Sequence, residues 1–322
     1  MARRGGWRRL GTRRFRYVDS RGRPITEEEA LERIRGLAIP PAWTDVWVSP
    51  NAGAKLQATG LDTAGRRQYL YHPRYRAARE REKFERLLDF AARLPAFRAR
   101  ASSDLRRGPY EQEWACALAI GLINNAWIRV GTDRHARASR TYGVTTLTKR
   151  HVSVDGESVE LCFRGKNSKL TRRTVRSRPL ARGLGELLVL PGARLFRYER
   201  DGELANLTAP TLNAYIAEHL GNGFTAKDFR TWGGTLVAAT ELARRGPLDD
   251  DAEATRTLAA VMRKVADELG NTPAVARASY VSPLVVERYR AGRTIDDFRT
   301  RSRRARLTAD EHALLRMLRS RP

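Results

Sequence analysis

The chain has 322 residues, of which 41% are hydrophobic, so it is long and apolar enough for about two domains with buried cores and is not a low-complexity disordered protein. Lysine and arginine number 61 against 36 acidic residues, a formal net charge of +25. This imbalance predicts a polyanionic partner, with nucleic acid as the leading candidate.

Cysteine and histidine usage argues against a disulfide framework or a bound metal. Cys116 and Cys162 are the only cysteines, and the five histidines are scattered without metal-ligand spacing. We therefore expect neither a metal nor another cofactor. The basic N-terminus is not followed by the apolar region of a signal peptide, and no long apolar run occurs, which predicts a cytoplasmic protein.

The N-terminal part is predicted to be a small β-rich domain. Short β-type segments at 15–18, 46–49 and 69–71 are separated by turn residues. A helix interrupts them, with Thr26 and Glu29 as its capping box.

A charged helix follows from residue 73 and is predicted to end at Pro95. We expect the domain boundary in the stretch after that proline, which is rich in Arg, Ala and Ser. The predicted limits are 1–95 for the N-terminal domain, 96–108 for a linker and 109–322 for a mainly helical C-terminal domain.

The C-terminal domain is expected to begin with a buried helix at 111–127, which leads directly to Arg129. A guanidinium that close to a buried element needs an anionic partner. β-type segments are predicted at 144–147, 151–154 and 159–163. The turn that follows them places Lys166 at or near a hairpin tip, where a long cationic side chain can reach into a groove.

Helices dominate the remaining sequence. Thr225 and Asp228 predict the start of a helix that carries Arg230, and Gly233-Gly234 would allow another backbone to pack closely on it. Thr308 and Glu311 predict the cap of a final helix.

A further pair of helices meets near Gly270, a predicted C-terminal glycine cap. Thr272 is a good N-cap and Pro273 a good first residue for the next helix. Asn271 lies just outside that helix and Tyr280 about two turns inside it, so both could face one cleft. A tyrosine on an alanine-rich helix is by itself more often a packed core residue.

Together these residues suit attack by a phenol on a phosphodiester. The planar forks of Arg129 and Arg230 match the equatorial oxygens of the pentavalent transition state, and the same positive field favours the phenolate of Tyr280. Lys166 is interpreted as the general acid that protonates the leaving alkoxide. Because a phosphotyrosine link conserves the diester, resealing needs neither ATP nor a metal.

Four motifs in order carry a family resemblance: I-R-V-G at Arg129, R-G-K-N at Lys166, K-D-F-R-T-W-G at Arg230 and G-N-T-P-A-V-A-R-A-S-Y ending at Tyr280. In the N-terminal part, L-A-I-P-P-A-W, Q-A-T-G and G-R-R-Q-Y-L-Y-H add to it. The chain resembles the type IB DNA topoisomerases of the poxvirus-like bacterial group over nearly its whole length.

The resemblance implies an α+β protein: a small N-terminal β-rich domain and a larger, mainly helical catalytic domain with a small antiparallel sheet, which close as a clamp around duplex DNA. Tyr280 would form a 3′-phosphotyrosine and release a 5′-hydroxyl strand, which rotates and religates. Arg129, Arg230 and Asn271 would hold the scissile phosphate, and Lys166 would be the acid.

The family pattern also implies double-stranded DNA as the partner of a nucleoid-associated monomer that requires no partner protein. The DNA-contacting positions are Arg67, Gln68, Tyr69, Tyr71, His135, Asn167 and Lys227. From the residues alone, packing in the sheet core is an equally good interpretation for Tyr69 or Tyr71. Many relatives carry histidine where this chain has Asn271, and an amide cannot carry a proton. We therefore expect Asn271 to act only electrostatically.

Two alternatives remain at this point. A tyrosine recombinase also uses Arg, Lys, Arg and Tyr, but its second arginine usually follows H-x-x-R, whereas Lys227 occupies the histidine position here. A noncatalytic architectural DNA-binding protein would use Arg129 and Arg230 to bind phosphates and Tyr280 as a packed phenol.

Overall fold

The computed structural model describes residues 5–12, 14–248, 250–301 and 305–320. These residues form two compact units, one up to Lys83 and the other from Phe84 onward. The first is built on a β-sheet and the second is mainly helical with small antiparallel sheets, as predicted for the α+β class. None of the described helices combines the length and the apolar character that crossing a membrane requires.

The first unit is a five-stranded antiparallel sheet in the order β2-β1-β3-β4-β5. Its strands are β1 (Trp7–Leu10), β2 (Arg16–Val18), β3 (Thr44–Val48), β4 (Leu56–Leu61) and β5 (Arg67–Tyr71). Helix α1 (Glu28–Gly36) buries Ile34 against Val46, Val48 and Ala58. Strands β1 and β4 were not predicted from the sequence.

The capping box predicted for α1 is wrong. Glu27 is the N-cap residue, and no side chain caps this helix. The preceding segment is still held on the sheet, because the amide of Ile25 donates to the carbonyl of Tyr17 at 2.9 Å. Thr26 therefore lies one position too early to cap the helix.

The long helix α2 (Pro73–Asp104) does not end at Pro95, contrary to the prediction. Its buried stripe continues past the proline through Phe97 and Ala101. At its end Asp104 is buried and accepts a hydrogen bond from the hydroxyl of Tyr215 at 2.7 Å. This packing outweighs the backbone hydrogen bond that proline removes. Residues 96–104 of the predicted linker are therefore helical, while the domain limits themselves remain a prediction.

The second unit surrounds α3 (Gln112–Ala126), which is buried along most of its length as predicted. The other helices are α4 (Asp133–Ser139), α5 (Arg178–Val189), α6 (Ala209–Leu220), α7 (Ala226–Arg245), α8 (Asp251–Leu269), α9 (Pro273–Tyr280), α10 (Pro283–Arg290) and α11 (Ala309–Arg319). The strands β6 (Val152–Asp155), β7 (Ser158–Arg164) and β8 (Leu170–Arg176) form one antiparallel sheet. A hairpin of β9 (Arg197–Arg200) and β10 (Glu203–Asn206) completes the unit.

Most of the predicted helix ends are confirmed. Thr225 with Asp228 and Thr308 with Glu311 form capping boxes on α7 and α11. Thr272 caps α9. The β-type prediction for 144–147 is wrong, because Val144–Thr146 is a 3₁₀ turn. The chain there bonds to the segment after α3, with the amide of Val144 donating to the carbonyl of Arg129 at 2.8 Å, and it then bends instead of extending into a strand.

Candidate active site

Helices α7 and α9 approach each other closely at Gly234. A methyl group on Gly234 would lie 2.8 Å from the carbonyl oxygen of Tyr280 and 2.9 Å from its Cβ. The adjacent Thr235 donates its hydroxyl to the Tyr280 carbonyl at 3.0 Å and accepts from the amide of Ser282 at 3.2 Å. The close backbone packing predicted for the glycine pair is found at Gly234 and fixes the end of α9, where Tyr280 lies, whereas Gly233 packs against the indole of Trp127.

Arg230 projects from α7 into the protein interior and is only 4% exposed. It donates to the carbonyl of Trp127 and, at 2.8 Å, to that of Leu269. Its guanidinium carbon lies 5.2 Å from the centre of the Tyr280 ring, and the two side chains share a hydrogen bond. Burial and the neighbouring charge of Arg129 lower the pKa of Arg230 to about 10, which still leaves it protonated at neutral pH.

Arg129 follows α3 after a sharp turn, because Trp127 ends that helix in the left-handed conformation with φ 48°. Its guanidinium donates to the carbonyl of Gly270 at 3.2 Å and to Oδ1 of Asn271. Burial lowers the pKa of Arg129. The Nδ2 atom of Asn271 is buried and has no hydrogen-bond partner among the described residues. Arg129 therefore orients the amide of Asn271 and leaves its donor for another group.

Lys166 lies at the tip of the β7–β8 hairpin, as predicted, and its side chain is exposed. Asn167 makes the tight turn possible by adopting a left-handed conformation with φ 59°. Lys166, Arg129 and Arg230 line one cleft. Asn271 and Tyr280 join this group through their contacts with the two arginines. The structure thus brings all five predicted catalytic residues together.

The phenol of Tyr280 is half-buried in a cationic environment. Burial alone would raise its pKa, but the charge and hydrogen bond of Arg230, together with the charges of Arg129 and Lys227, outweigh that effect and lower the pKa below its usual value of 10.0. Lys227 itself is exposed on the first turn of α7. The site therefore makes the phenolate, the nucleophilic form of tyrosine, easier to form than it is in an unperturbed tyrosine.

One contributor to this region was missed in the sequence. Arg173 on β8 donates to the carbonyls of Asp267, at 3.1 Å, and Glu268 at the end of α8. In the sequence, this residue could be recognised from the alternation of side chains along β8, which places Arg173 on the same face as the buried Val175. An arginine on the inward face of a strand requires partners.

Among the predicted DNA contacts of this unit, Asn167 and Lys227 lie close to the catalytic group, at the hairpin tip and at the start of α7. His135 lies on α4, a helix that buries none of its residues. The Nδ1 atom of His135 is 2.7 Å from the hydroxyl of Thr132. An exposed basic helix of this kind suits contact with a polyanion.

In the first unit, the four predicted contacts lie on the edge strand β5. Tyr69 and Tyr71 are 48% and 37% exposed, with ring centres 6.2 Å apart, so neither packs in the sheet core. Arg67 pairs with Asp45, and Gln68 donates to Asp62, each at 2.8 Å. Tyr75 is not among the predicted contacts, yet its ring centre is 5.2 Å from that of Tyr71 and 4.2 Å from the ammonium of Lys55.

Comparison with known proteins places these two units in one family. Residues 72–304 match the catalytic core family of eukaryotic DNA topoisomerase I, and residues 14–62 match the N-terminal domain of bacterial DNA topoisomerase IB. The chain belongs to the type IB DNA topoisomerases. It is accordingly an isomerase with type IB topoisomerase activity, and DNA is its substrate.

Curated viral members of the type IB family are similar over most of their length. DNA topoisomerase 1B of Acanthamoeba polyphaga mimivirus is 33% identical over 284 residues, which cover 85% of this chain and 84% of the viral protein. DNA topoisomerase 1B of vaccinia virus (strain Copenhagen) is 23% identical over 278 residues, covering 82% and 83%. The resemblance to the poxvirus-like bacterial group is thereby confirmed.

Proposed function

We propose that this topoisomerase relaxes positively and negatively supercoiled DNA through a transient 3′-phosphotyrosine on Tyr280. The phenolate oxygen forms a bond to the scissile phosphorus while the bond from phosphorus to the 5′ oxygen breaks. The cut strand rotates, and its 5′-hydroxyl then attacks the phosphotyrosine to restore the diester. The observation that supports this most directly is the convergence of Arg230, Arg129 and Lys227 on Tyr280, which lowers the pKa of its phenol.

Arg129, Arg230 and Asn271 are assigned to the phosphate. Charge on the nonbridging oxygens increases in the pentavalent state, and fixed guanidinium groups stabilise it without reorganising. The backbone carbonyls of Trp127, Leu269 and Gly270 hold both arginines in place. The Nδ2 of Asn271 is a donor without a partner among the described residues, and an amide carries no proton to transfer, which supports a purely electrostatic role for this position.

Lys166 is assigned as the general acid that gives its proton to the leaving 5′ oxygen. Its position at an exposed hairpin tip on the same cleft as the arginines supports this role, because a proton donor there faces the space that a bound phosphodiester would occupy. The reaction exchanges one diester for another, so neither ATP nor a metal is required in the proposal.

Duplex DNA is proposed to contact both units. The exposed tyrosines of β5, with Arg67 and Gln68, suit a groove or the backbone, while His135, Asn167 and Lys227 suit the strand near the cleavage site. We further propose that the enzyme acts as a monomer, without a partner protein, on nucleoid DNA in the cytoplasm. The domain limits 1–95, 96–108 and 109–322 are part of this proposal.

The decisive experiment is relaxation of plasmids of both supercoil signs in EDTA without ATP, with Tyr280→Phe beside the wild type. We expect relaxation and a denaturation-resistant protein–DNA adduct for the wild type only, because the variant loses just the attacking hydroxyl. The variant should retain DNA affinity and the wild-type unfolding midpoint. Relaxation by folded Tyr280→Phe would overturn the assignment of the nucleophile.

A further inference from the structure

The C-terminal end of α8 is a point where three arginines meet. Arg173 donates hydrogen bonds to the carbonyls of Asp267 and Glu268. Arg230 donates to the next carbonyl, that of Leu269, and Arg129 donates to the carbonyl of Gly270, which follows the helix. Cations at this position complement the negative end of the helix dipole. Two of the three arginines are already assigned to the phosphate, and Arg173 has no assigned role.

Arg173 belongs to the hairpin that carries Lys166. Within the sheet it pairs directly with Leu161, which is 1% exposed, so a guanidinium occupies the inward, apolar face. Its side chain is 24% exposed, and its Nε is buried without a partner among the described residues. A charge placed there is costly unless it is well bonded, and the end of α8 supplies the bonds.

A second contact ties the same hairpin to the same helix end. The ammonium of Lys169 lies 3.3 Å from Oδ1 of Asp267, and the amide of Lys169 bonds back to the carbonyl of Lys166. Both side chains of the ion pair are at least half exposed, so it contributes little by itself. Arg173 makes more contacts there, because it donates to two carbonyls and also lies 3.8 Å from the carboxylate of Glu268.

We infer that Arg173 is a positioning residue. It holds the β7–β8 hairpin on the C-terminal end of α8 and so fixes the position of the general acid Lys166 relative to Arg129 and Arg230. The inference rests on the proposed function of Lys166. Without Arg173 the arginines keep their own carbonyl partners, so stabilisation of the phosphate persists while delivery of the proton is impaired. Arg173 lines the same cleft as Lys166, Arg129 and Arg230, but its guanidinium donates to the carbonyls of α8. We therefore assign it to act through Lys166 and not on the phosphate.

The test uses two DNA duplexes that share a cleavage site mapped with the wild type. One carries the natural 5′ oxygen at the scissile bond and the other a bridging 5′ sulfur. A thiolate leaves without a proton, because thiols have a pKa of about 8.5. Single-turnover cleavage at saturating DNA is measured for wild type, Lys166→Ala, Arg173→Met, Arg173→Lys and Arg172→Met. Methionine keeps the apolar stem of arginine, and Arg172 is an exposed neighbour on the opposite face of β8.

We expect Arg173→Met to cleave the oxygen substrate at least about tenfold more slowly, given that general acid catalysis contributes roughly 10² to 10⁴ in rate. It should cleave the sulfur substrate within about threefold of the wild-type rate. Arg173→Lys, which retains a cation at the helix end, should recover part of the loss. Arg172→Met should match wild type on both substrates.

Equal slowing of Arg173→Met on both substrates would overturn the inference, because it would indicate damage to the phosphate site or to the fold. Unchanged cleavage of the oxygen substrate would overturn it as well. If Lys166→Ala is not rescued by sulfur, the proposed acid role of Lys166 fails, and the inference about Arg173 fails with it. Unfolding midpoints of all variants show whether any loss comes from an unfolded fraction.

Discussion

At the scale of single residues, the state of Tyr280 depends on which of two opposing effects is larger. Burial disfavours the charged phenolate, and three cations favour it; the lowered pKa shows that the cations prevail. Arg230 and Arg129 are held by backbone carbonyls, whereas Lys227 is exposed on the first turn of α7. Lys227 is therefore the charge that can be removed with the least disturbance to the structure.

Lys227→Gln is expected to raise the pKa of Tyr280, since it removes a charge that lowers it. If the phenolate is the attacking form, cleavage rises with pH through the pKa of Tyr280, and in the variant this rise moves to higher pH. Single-turnover cleavage at saturating DNA, followed from neutral to alkaline pH, measures the shift apart from any loss of affinity. Arg277→Gln on α9 is the matched control, because Arg277 is exposed and is not one of the cations that lower the pKa of Tyr280 most. A profile that shifts equally in both variants would contradict the assignment.

The meeting of the five residues proposed as catalytic could be predicted residue by residue, because each follows a feature that is readable locally. Tyr280 follows a capped helix start, Lys166 a hairpin turn, and Arg230 a capping box. Arg173 was missed because its importance depends on the carbonyls it meets, which lie more than ninety residues away along the chain. Local sequence specifies which face of a strand a side chain occupies, but not what covers that face.

At the scale of elements, the contact of α7 with α9 transmits any change at Gly234 to Tyr280. Gly234→Ala would place a methyl group 2.8 Å from the Tyr280 carbonyl oxygen and 2.9 Å from Cδ1 of Leu269. We expect a loss of about 1–3 kcal/mol in the free energy of unfolding, the usual cost of overpacking, and slower cleavage at a wild-type level of DNA affinity.

Gly185→Ala on α5 is the control for this substitution, since a methyl group there meets no atom within 4 Å. It should instead stabilise the protein by about 0.5–1 kcal/mol, because alanine is the better helix former. Urea unfolding of both variants gives the comparison. A Gly234→Ala protein as stable and as active as wild type would show that the two helices separate at no cost.

The junction of α2, α7 and α11 depends on one buried carboxylate. Glu311 is 3% exposed and accepts hydrogen bonds from Arg98, at 2.7 and 2.8 Å, and from the Trp232 indole at 3.0 Å. Burial would raise the pKa of Glu311, but the hydrogen bonds and charge of Arg98 lower it below 4.5. Because the pKa is lower in the folded state, this stabilisation is complete above pH 4.5 and is lost as pH falls through the folded-state pKa.

Glu311→Gln is therefore expected to lower the free energy of unfolding at pH 7 by about 2 kcal/mol, since the charged hydrogen bonds to Arg98 are lost. The difference from wild type should shrink as the pH falls from 4.5 through the lower folded-state pKa, because the carboxylate is protonated first in the unfolded and then in the folded state. Glu186→Gln provides the control, because its partner Arg182 is 85% exposed and such pairs contribute about 0–1 kcal/mol. Urea unfolding across pH would contradict the prediction if the difference stayed constant.

The elements themselves were predictable where one local rule decides them and unpredictable where packing decides them. Caps at Thr225, Thr272 and Thr308 and the glycine turn at Gly270 follow from backbone geometry that the side chain itself satisfies. Pro95 reads as a helix end, yet α2 continues because its buried stripe has partners on both sides of the proline. Burial of this stripe outweighs the backbone hydrogen bond that Pro95 removes. The local sequence shows the proline but not how deeply the neighbouring side chains are buried.

At the scale of the whole molecule, the salt concentration should affect DNA affinity and the cleavage rate differently, because affinity depends on the net charge of +25 and cleavage on buried charges. Affinity for duplex DNA depends on counterion release. A protein with about six phosphate contacts therefore binds DNA roughly a thousandfold more weakly at about 200 mM salt than at about 50 mM. Charges in the site are screened much less, because Arg230 is only 4% exposed. Binding and chemistry should therefore respond to salt separately.

We expect wild type and Tyr280→Phe to lose DNA affinity with the same steep slope against the logarithm of salt concentration. The single-turnover cleavage rate of wild type at saturating DNA should meanwhile change by less than about threefold over that range, since buried charges are poorly screened. Binding titrations and cleavage time courses on one duplex measure both quantities. A cleavage rate that fell with the slope of the affinity, at DNA concentrations shown to be saturating, would mean that screened surface charges rather than the buried arginines stabilise the transition state.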